Sequence, residues 1–504
     1  MTFLKLRASD VQIYRGCDLV SEPIIYFQLL FGPWAFGTTQ PWSVWTMNTA
    51  GYVLGLLLLT KLAIRRFKDY RPPRWITADS GVGIEGPAVR TLITALAWIT
   101  VALIGWCLVS AINARATWRP AQLSFEYHNY LAYLPHSLDS GKSWQAFWMH
   151  LGMACTFWGI RDWLLGQSDR EIRCASSPDW KPGAEGLAEG KYFFPERLRR
   201  LFWLLAINGG LLAIEGIVQR LEGSGKLLFL VQPRVNPGAV TQFGPWAYRS
   251  NASQYFNLLW PVCAGFWWTL QLSQSRQRYR HHWLLVCAAL MAACPIISTS
   301  RGGAMITLGI LGSAMFCLLA MHFAIRVRDL QEVRSRRLSL AVLVICFASA
   351  LFLGFGLGWK NLGPRMEEVR EGFEGREEMF ERARPMAADY PWFGTGPGTF
   401  ETVFQLYRPS LDTYWPAQLH NDWLETRITF GLLGSGLIWA ALGIVLVRWF
   451  FPGGIHGGRR FVVLAWLAIA GCLVHARFDL PFQIHSIVVL FLVLCAVLSV
   501  LSRK

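Results

Sequence analysis

Residues 340–357 read LAVLVICFASALFLGFGL and residues 487–501 read IVVLFLVLCAVLSVL. Neither run holds a charged side chain, and each approaches the length that lets a helix cross a hydrocarbon layer about 30 Å thick. The rest of the chain follows the same pattern. Of its 504 residues 53% are apolar and only 16% are charged, where an ordinary soluble protein carries roughly a quarter. A soluble fold is excluded, and the expectation is an all-α polytopic membrane protein.

Apolar windows predict about twelve spans, near 22–38, 44–62, 91–112, 144–165, 201–219, 253–272, 283–299, 303–325, 339–358, 423–449, 461–476 and 486–501. Pro23, Gly32, Pro33 and Gly37 interrupt the first, which membrane helices tolerate where neighbours satisfy the backbone. The whole chain, 1–504, then forms one membrane domain, with a large helical loop at 359–422 between the ninth and tenth helices.

The formal charge of +16 would suggest nucleic acid in a soluble protein. Here the basic residues lie in short segments between apolar blocks, which is a topology signal and implies no nucleic-acid partner. One set of connections holds Arg65, Arg66, Lys68, Arg71 and Arg74; Arg197, Arg199 and Arg200; Arg276, Arg278 and Arg280; Arg326, Arg328, Arg334, Arg336 and Arg337; and Arg459 and Arg460. These connections alternate along the chain, so they share one side, predicted cytoplasmic together with both termini. The N-terminal stretch Met1 to Ser21 lacks the apolar run and cleavage site of a removable signal peptide. The 11 cysteines form no CxxC pair and lie mostly in apolar blocks, so neither a disulfide framework nor a zinc site is expected.

Polar chemistry gathers on the opposite, outer side. Ser298-Thr299-Ser300-Arg301-Gly302-Gly303 puts a guanidinium at the membrane interface with two glycines beside it; a snorkelling helix-end arginine is the bland alternative. Phe243 to Asn251 places Arg249 at the mouth of the next helix, where an aromatic-flanked interfacial anchor is the competing account. Leu419-His420-Asn421-Asp422-Trp423-Leu424-Glu425 returns the outer segment to the membrane, with Asn421 and Asp422 as caps or orienting partners for His420. A histidine in such a place is either structural or a group whose ordinary pKa suits proton transfer. Glu367 to Met386 reads as a solvated helix face, with Glu and Arg three or four apart. The glycine-punctuated run Tyr390 to Phe400 must be turn or loop, and it lacks the context of a nucleotide-binding loop. Glu215 is read as nearly the only intramembrane acid, either a site or one end of a bundle-internal hydrogen bond.

In their order and placement these segments resemble the O-antigen ligase and O-antigen polymerase superfamily of bacterial membrane glycosyltransferases. The residues that carry the resemblance are Phe31 to Gly37, Phe243 to Asn251, Ser300-Arg301-Gly302-Gly303, and Asp389 to Phe400. They continue with His420-Asn421-Asp422-Trp423-Leu424 and its downstream Gly431-Leu432-Leu433-Gly434, and with Arg477-Phe478-Asp479-Leu480-Pro481. The likeness spans nearly the whole chain and is strongest from Ile296 to Gly434. Where the family shows E-L-G after its histidine motif, this chain has Thr429-Phe430-Gly431; Glu425, one helical turn earlier, is the nearest replacement for the missing acid.

The resemblance implies a GT-C-like fold in the bacterial inner membrane. It also implies a metal-independent, inverting transfer of glycan, without a cofactor, from undecaprenyl diphosphate to an acceptor such as lipid A core or a growing glycan. Read as chemistry, arginine forks suit a diphosphate leaving group, and a histidine at the water interface suits deprotonation of the acceptor hydroxyl. Arg301, Arg249 and His420 are therefore the expected catalytic residues. Asn421, Asp422, Arg376, Arg384, Arg408 and Glu425 are the expected substrate contacts. The rival class is a transporter or flippase, which would need ionisable residues near the membrane midplane; a non-catalytic envelope scaffold is the third.

Overall fold

The computed structural model describes residues 5–74, 87–175, 194–273, 279–324, 330–408, 417–447 and 459–501. Of the predicted cytoplasmic arginines, Arg276, Arg278, Arg326 and Arg328 lie outside the described residues.

A helix stands at each predicted span. In chain order they are α1 (Ala8–Trp34), α2 (Pro41–Lys68), α3 (Pro87–Ile112), α4 (Ser140–Leu165), the short α5 (Asp169–Ala175), α6 (Glu196–Glu222), α7 (Arg249–Ser273) and α8 (Trp283–Ile297). There follow α9 (Arg301–Ala324), α10 (Leu330–Glu367), α11 (Val369–Asp389), the one-turn α12 (Phe400–Val403), α13 (Asp422–Val447), α14 (Arg459–His475) and α15 (His485–Leu501). The protein is an all-α polytopic membrane protein. Its one sheet among the described residues is a hairpin, β1 (Ala116–Arg119) against β2 (Ser124–Tyr127), between α3 and α4.

Against the expectation of about twelve spans, seven helices among the described residues are long and apolar enough to cross a membrane by length and composition: α2, α3, α6, α8, α9, α10 and α13. The difference has a physical reason. Residues 251–270 of α7 are buried without interruption, so Asn251, Gln254 and Asn257 face protein and not lipid, and the helix has no need of an apolar surface. α15 is likewise enclosed, with all its residues but Leu492 buried. The core of the bundle forms around these two helices.

Local chemistry sets the helix ends. Pro41 opens α2, where its missing N–H costs nothing. Asp139 caps α4 by accepting from the Gly141 N–H at 3.1 Å, and Gly223, at φ +72°, closes α6 in the left-handed conformation.

The Pro- and Gly-rich run of the outer segment serves the fold. α13 is broken at Gly431 (φ 66°, ψ −170°), which frees carbonyls that must find donors. Thr395 N–H donates to Ile428 O at 2.9 Å and Gly396 N–H to Thr429 O at 3.0 Å, while Leu432 N–H reaches Pro391 O at 2.9 Å. The two backbones pass so closely that a Cβ at Gly394 or Gly431 would overlap the other strand, which is why only glycine serves there.

At the opposite end of the bundle the reading of intramembrane charge needs correction. Glu215 is not nearly alone: Asp162, inside the predicted span 144–165, is buried, and so is Lys61 of α2. Lys61 Nζ lies 2.6 Å from Asp162 and 2.8 Å from Asp18, and Arg65 and Arg197 complete the network at 2.7 Å each. Pairing of this kind is what lets charge persist inside a bundle. Glu215 differs: both carboxyl oxygens are buried without a hydrogen-bond partner, close under the Gly244 turn.

Candidate active site

The residues between α8 and α9 dictate how Arg301 is presented. Thr299 adopts φ +63°, a left-handed turn that ends α8 and lets α9 start at Arg301. Ser300 caps the new helix by accepting from the Gly303 N–H at 3.2 Å. α7 likewise begins at Arg249. Two helix N-termini, each with a partial positive charge, thus open on the same place.

There they border a cleft of about 300 Å³ whose lining includes Tyr248, Arg249, Arg301, Arg365, Arg376 and Asp479. The four guanidinia are anchored on neutral backbone carbonyls. Arg249 donates to Val240 O at 2.8 Å, Arg301 to Glu368 O at 2.7 Å, Arg365 to Thr299 O at 3.0 Å, and Arg376 to Phe478 O. Carbonyls hold the forks in position without cancelling their charge, and Arg249 is repelled by Arg365, Arg220 and Arg301. The result is an electropositive recess suited to a polyanion. Gly372 of α11 makes room for it, since a Cβ at that position would overlap the Arg301 guanidinium.

Asp479 is the acid of this recess and sits in the turn between α14 and α15. Its Oδ1 lies 3.0 Å from His420 Nδ1 and also accepts from the Leu480 N–H at 3.1 Å. Oδ2 accepts from the hydroxyls of Ser250 and, at 3.5 Å, Tyr248, and His475 Nε2 stands 4.0 Å away. Burial by itself would raise the Asp479 pKa, but the His420 hydrogen bond and the nearby Arg376 charge outweigh it and hold the carboxyl well below the usual range. Tyr248 is pushed the other way, upward, by burial and by the Asp479 charge.

His420 is not itself a lining residue; it adjoins the cleft through Asp479, its ring 6.1 Å from that of Tyr248, with φ at +56°. Such a conformation costs a non-glycine residue roughly 1–2 kcal/mol and persists only when the surroundings impose it. They do so through the residues expected to touch substrate. Asn421 Oδ1 caps α13 by accepting from the Leu424 N–H at 3.2 Å. Asp422 accepts from the Phe482 N–H at 2.8 Å, and Glu425 from the Leu419 N–H at 2.8 Å and from Gln483 at 3.1 Å. All three are buried, and Asp422 and Glu425 bind the His420 turn to the Asp479 turn.

The expected substrate contacts therefore separate. Arg376 lines the cleft. Arg384 pairs with Glu377 and Arg408 with Gln405, both apart from the cleft lining. Glu425 does not stand in for an acid at the cleft, and Thr429 turns its hydroxyl to the Glu425 carbonyl at 2.8 Å. Sequence reasoning missed Asp479, Tyr248, Arg365 and His475 as cleft residues. The signal for Asp479 was an acid in a short polar turn between two apolar helices, within the Arg477 to Pro481 stretch that shares in the resemblance. Among the described residues no cluster of three or more His, Cys, Asp or Glu is arranged to hold a metal ion.

A family model described as O-antigen ligase matches residues 286–439. This stretch is similar to the O-antigen ligase family. The match takes in Arg301, Arg365, Arg376 and His420, while Arg249 and Asp479 lie outside it and join the site through the fold. Comparison with curated proteins gives no match. The O-antigen ligase match supports a glycan-transfer role in envelope polysaccharide biosynthesis at a membrane.

Proposed function

We propose that the protein transfers glycan from undecaprenyl diphosphate to an acceptor hydroxyl on the outer face of the inner membrane, with inversion at the sugar carbon. The observation that carries this reading is the juxtaposition of a recess of four arginines, with Asp479 its one lining acid, and a histidine held by that buried carboxylate.

The acceptor oxygen attacks the anomeric carbon as the bond from that carbon to the diphosphate oxygen breaks. The electron pair leaves with the diphosphate, and the proton of the acceptor hydroxyl passes to His420. With Nδ1–H directed at Asp479, Nε2 is the basic nitrogen, and the carboxylate stabilises the imidazolium that forms. Arg249, Arg301, Arg365 and Arg376 meet the charge that develops on the leaving group, and they need no rearrangement because backbone carbonyls already fix them. A single displacement inverts the configuration. The arginines supply the charge neutralisation, so the reading assigns no part to a metal ion.

Both termini are then cytoplasmic and residues 359–422 form the large outer loop. Deletion in the native host, followed by separation of envelope glycans, tests the function. Lost attachment with accumulated lipid-linked polymer supports a ligase, accumulated single repeat units support a polymerase, and an unchanged glycan profile contradicts both.

A further inference from the structure

The end of the bundle opposite the arginine recess holds a second cleft, of about 780 Å³ against 300 Å³ for the recess. One wall is a face of α1, where Arg15, Asp18, Leu19 and Glu22 take the i, i+3, i+4, i+7 spacing. Arg170, Ile172 and Arg173 of α5, Arg200 of α6 and the Pro72-Pro73 turn supply the others.

Positive charge is in excess there: among the described residues seven arginines and five acids line the cleft. The acids at its floor are already taken. Asp162 holds Lys61 at 2.6 Å, Arg65 at 2.7 Å and Arg74 at 3.4 Å, and Asp18 holds Lys61 at 2.8 Å and Arg197 at 2.7 Å. Two carboxylates thus face more cations than they neutralise. Higher up, Glu22 pairs with Arg200 at 3.1 Å and Glu196 accepts from the Ser168 hydroxyl at 2.5 Å. Arg173 donates only to the neutral Asp169 carbonyl, at 3.3 Å, and Arg15 and Arg170 stand exposed at the rim. Such a cleft selects an anion.

Its depth says which kind. The apolar window of α1 begins at residue 22, and Asp18 lies about 6 Å beyond it along the helix, which is the thickness of the headgroup layer on one side of a bilayer. Leu19 and Val20 are 65% and 48% exposed, so apolar surface reaches the mouth of the cleft beside Arg15. We infer that the cleft binds the phosphodiester head of an anionic phospholipid, with the phosphate among Arg15, Arg170 and Arg173 and the acyl chains leaving past Leu19. Basic clefts between membrane helices recognise lipid heads of this charge. The bound lipid ties α1 to α5, and the site is independent of the glycan-transfer reading.

The test uses the full chain in an uncharged detergent, as the unaltered protein and as Arg15→Gln/Arg170→Gln. Both arginines are exposed, so the variant leaves the floor pairs in place, and the arginine recess is identical in the two proteins and cancels from the comparison. Native mass spectrometry measures retained phosphatidylglycerol and phosphatidylcholine, and thermal unfolding is followed with each lipid and with inorganic phosphate. The expected result is that phosphatidylglycerol is retained several-fold better than phosphatidylcholine and raises the unfolding temperature, and that the double variant loses both effects. Arg173→Gln, from the other wall, should lower retention in the same direction. Equal retention of the two lipids, or equal phosphatidylglycerol retention by the unaltered protein and both variants, overturns the site. Inorganic phosphate that reproduces the thermal shift at the same concentration overturns the lipid and makes the cleft a site for a free phosphate compound.

Discussion

His420 Nδ1 lies 3.0 Å from Asp479 Oδ1 although 59 residues separate them in the chain. The distance is held from both sides: Asp422 N–H donates to Ala476 O at 2.9 Å, and the Asp422 carboxylate accepts from the Phe482 N–H at 2.8 Å. Asp479 acts through His420, as a positioning residue. Asp479→Asn should lower turnover by about 10²–10⁴-fold, the range general-base catalysis spans, while leaving prenyl diphosphate affinity within a few-fold. Equal turnover in the variant would show that the pair is only structural.

The same carboxylate makes a pH prediction. Its folded-state pKa is depressed, so the stability it contributes is present above the unfolded carboxyl pKa of about 3.9 and is lost only as pH falls through the lower folded value. The part of the stability difference between the unaltered protein and Asp479→Asn that comes from ionisation of the Asp479 carboxyl should therefore persist from about pH 8 to pH 5 and shrink only in stronger acid. Thermal unfolding in detergent across that range measures it; a difference that disappears near neutrality would contradict the assignment.

Arg301 is expected to act through its fork. Arg301→Lys keeps the charge but loses bidentate geometry, and should weaken diphosphate binding. Gly372→Ala is the complementary change. Its added methyl displaces the Arg301 guanidinium, while alanine favours helix α11 by up to about 1 kcal/mol. Affinity should fall without loss of stability, measured by ligand titration alongside thermal unfolding. Full affinity in both variants would reduce Arg301 to a snorkelling anchor.

Much of this was legible in the sequence, and the omissions share a cause. The apolar blocks announce helices because a backbone in lipid must satisfy itself locally, and Arg301, Arg249 and His420 stood out because polar groups at helix mouths are conspicuous against such blocks. Lys61 and Asp162 were invisible as a pair because each sits inside an apolar run, and their charges cancel only when α2 packs on α4. Asp479 and Arg365 become site residues only through packing: one reaches the cleft from the α14–α15 turn, the other from the last turn of α10. The 390–398 glycines were read only as turn or loop; what the sequence did not show is the partner that Gly394 and Gly396 approach, the broken α13. The ties made by Asp422 and Glu425 depend on the distant turn at 476–483 and so were not legible in the sequence, where both were read, with Asn421, as substrate contacts.

The buried pair gives a stability prediction. Asp162→Ala takes from Lys61 the nearer of its two carboxylates, leaving Asp18 alone, and takes from Arg65 its buried partner; removing one partner of a buried ion pair typically costs about 3–5 kcal/mol. A large drop in the unfolding temperature is expected, and Asp162→Asn with Lys61→Met should recover part of it. An unchanged melting curve for Asp162→Ala would show that water reaches Lys61.

Orientation can be read by labelling. In a background without accessible cysteines, Leu123→Cys and Trp392→Cys, both exposed at the His420 end, should react with an impermeant maleimide in intact spheroplasts. Phe67→Cys, exposed at the opposite end, should react only after lysis. The reverse pattern would turn the cleft toward the cytoplasm and remove the outer-face reaction.

The central claim is that His420 serves the chemical step and the arginines serve the donor. Single-turnover transfer by His420→Ala, with donor affinity measured on the same preparation, tests it most directly. The account predicts a rate lower by about 10²–10⁴-fold with donor affinity nearly intact. A near-normal rate, or a defect confined to donor affinity, would contradict it.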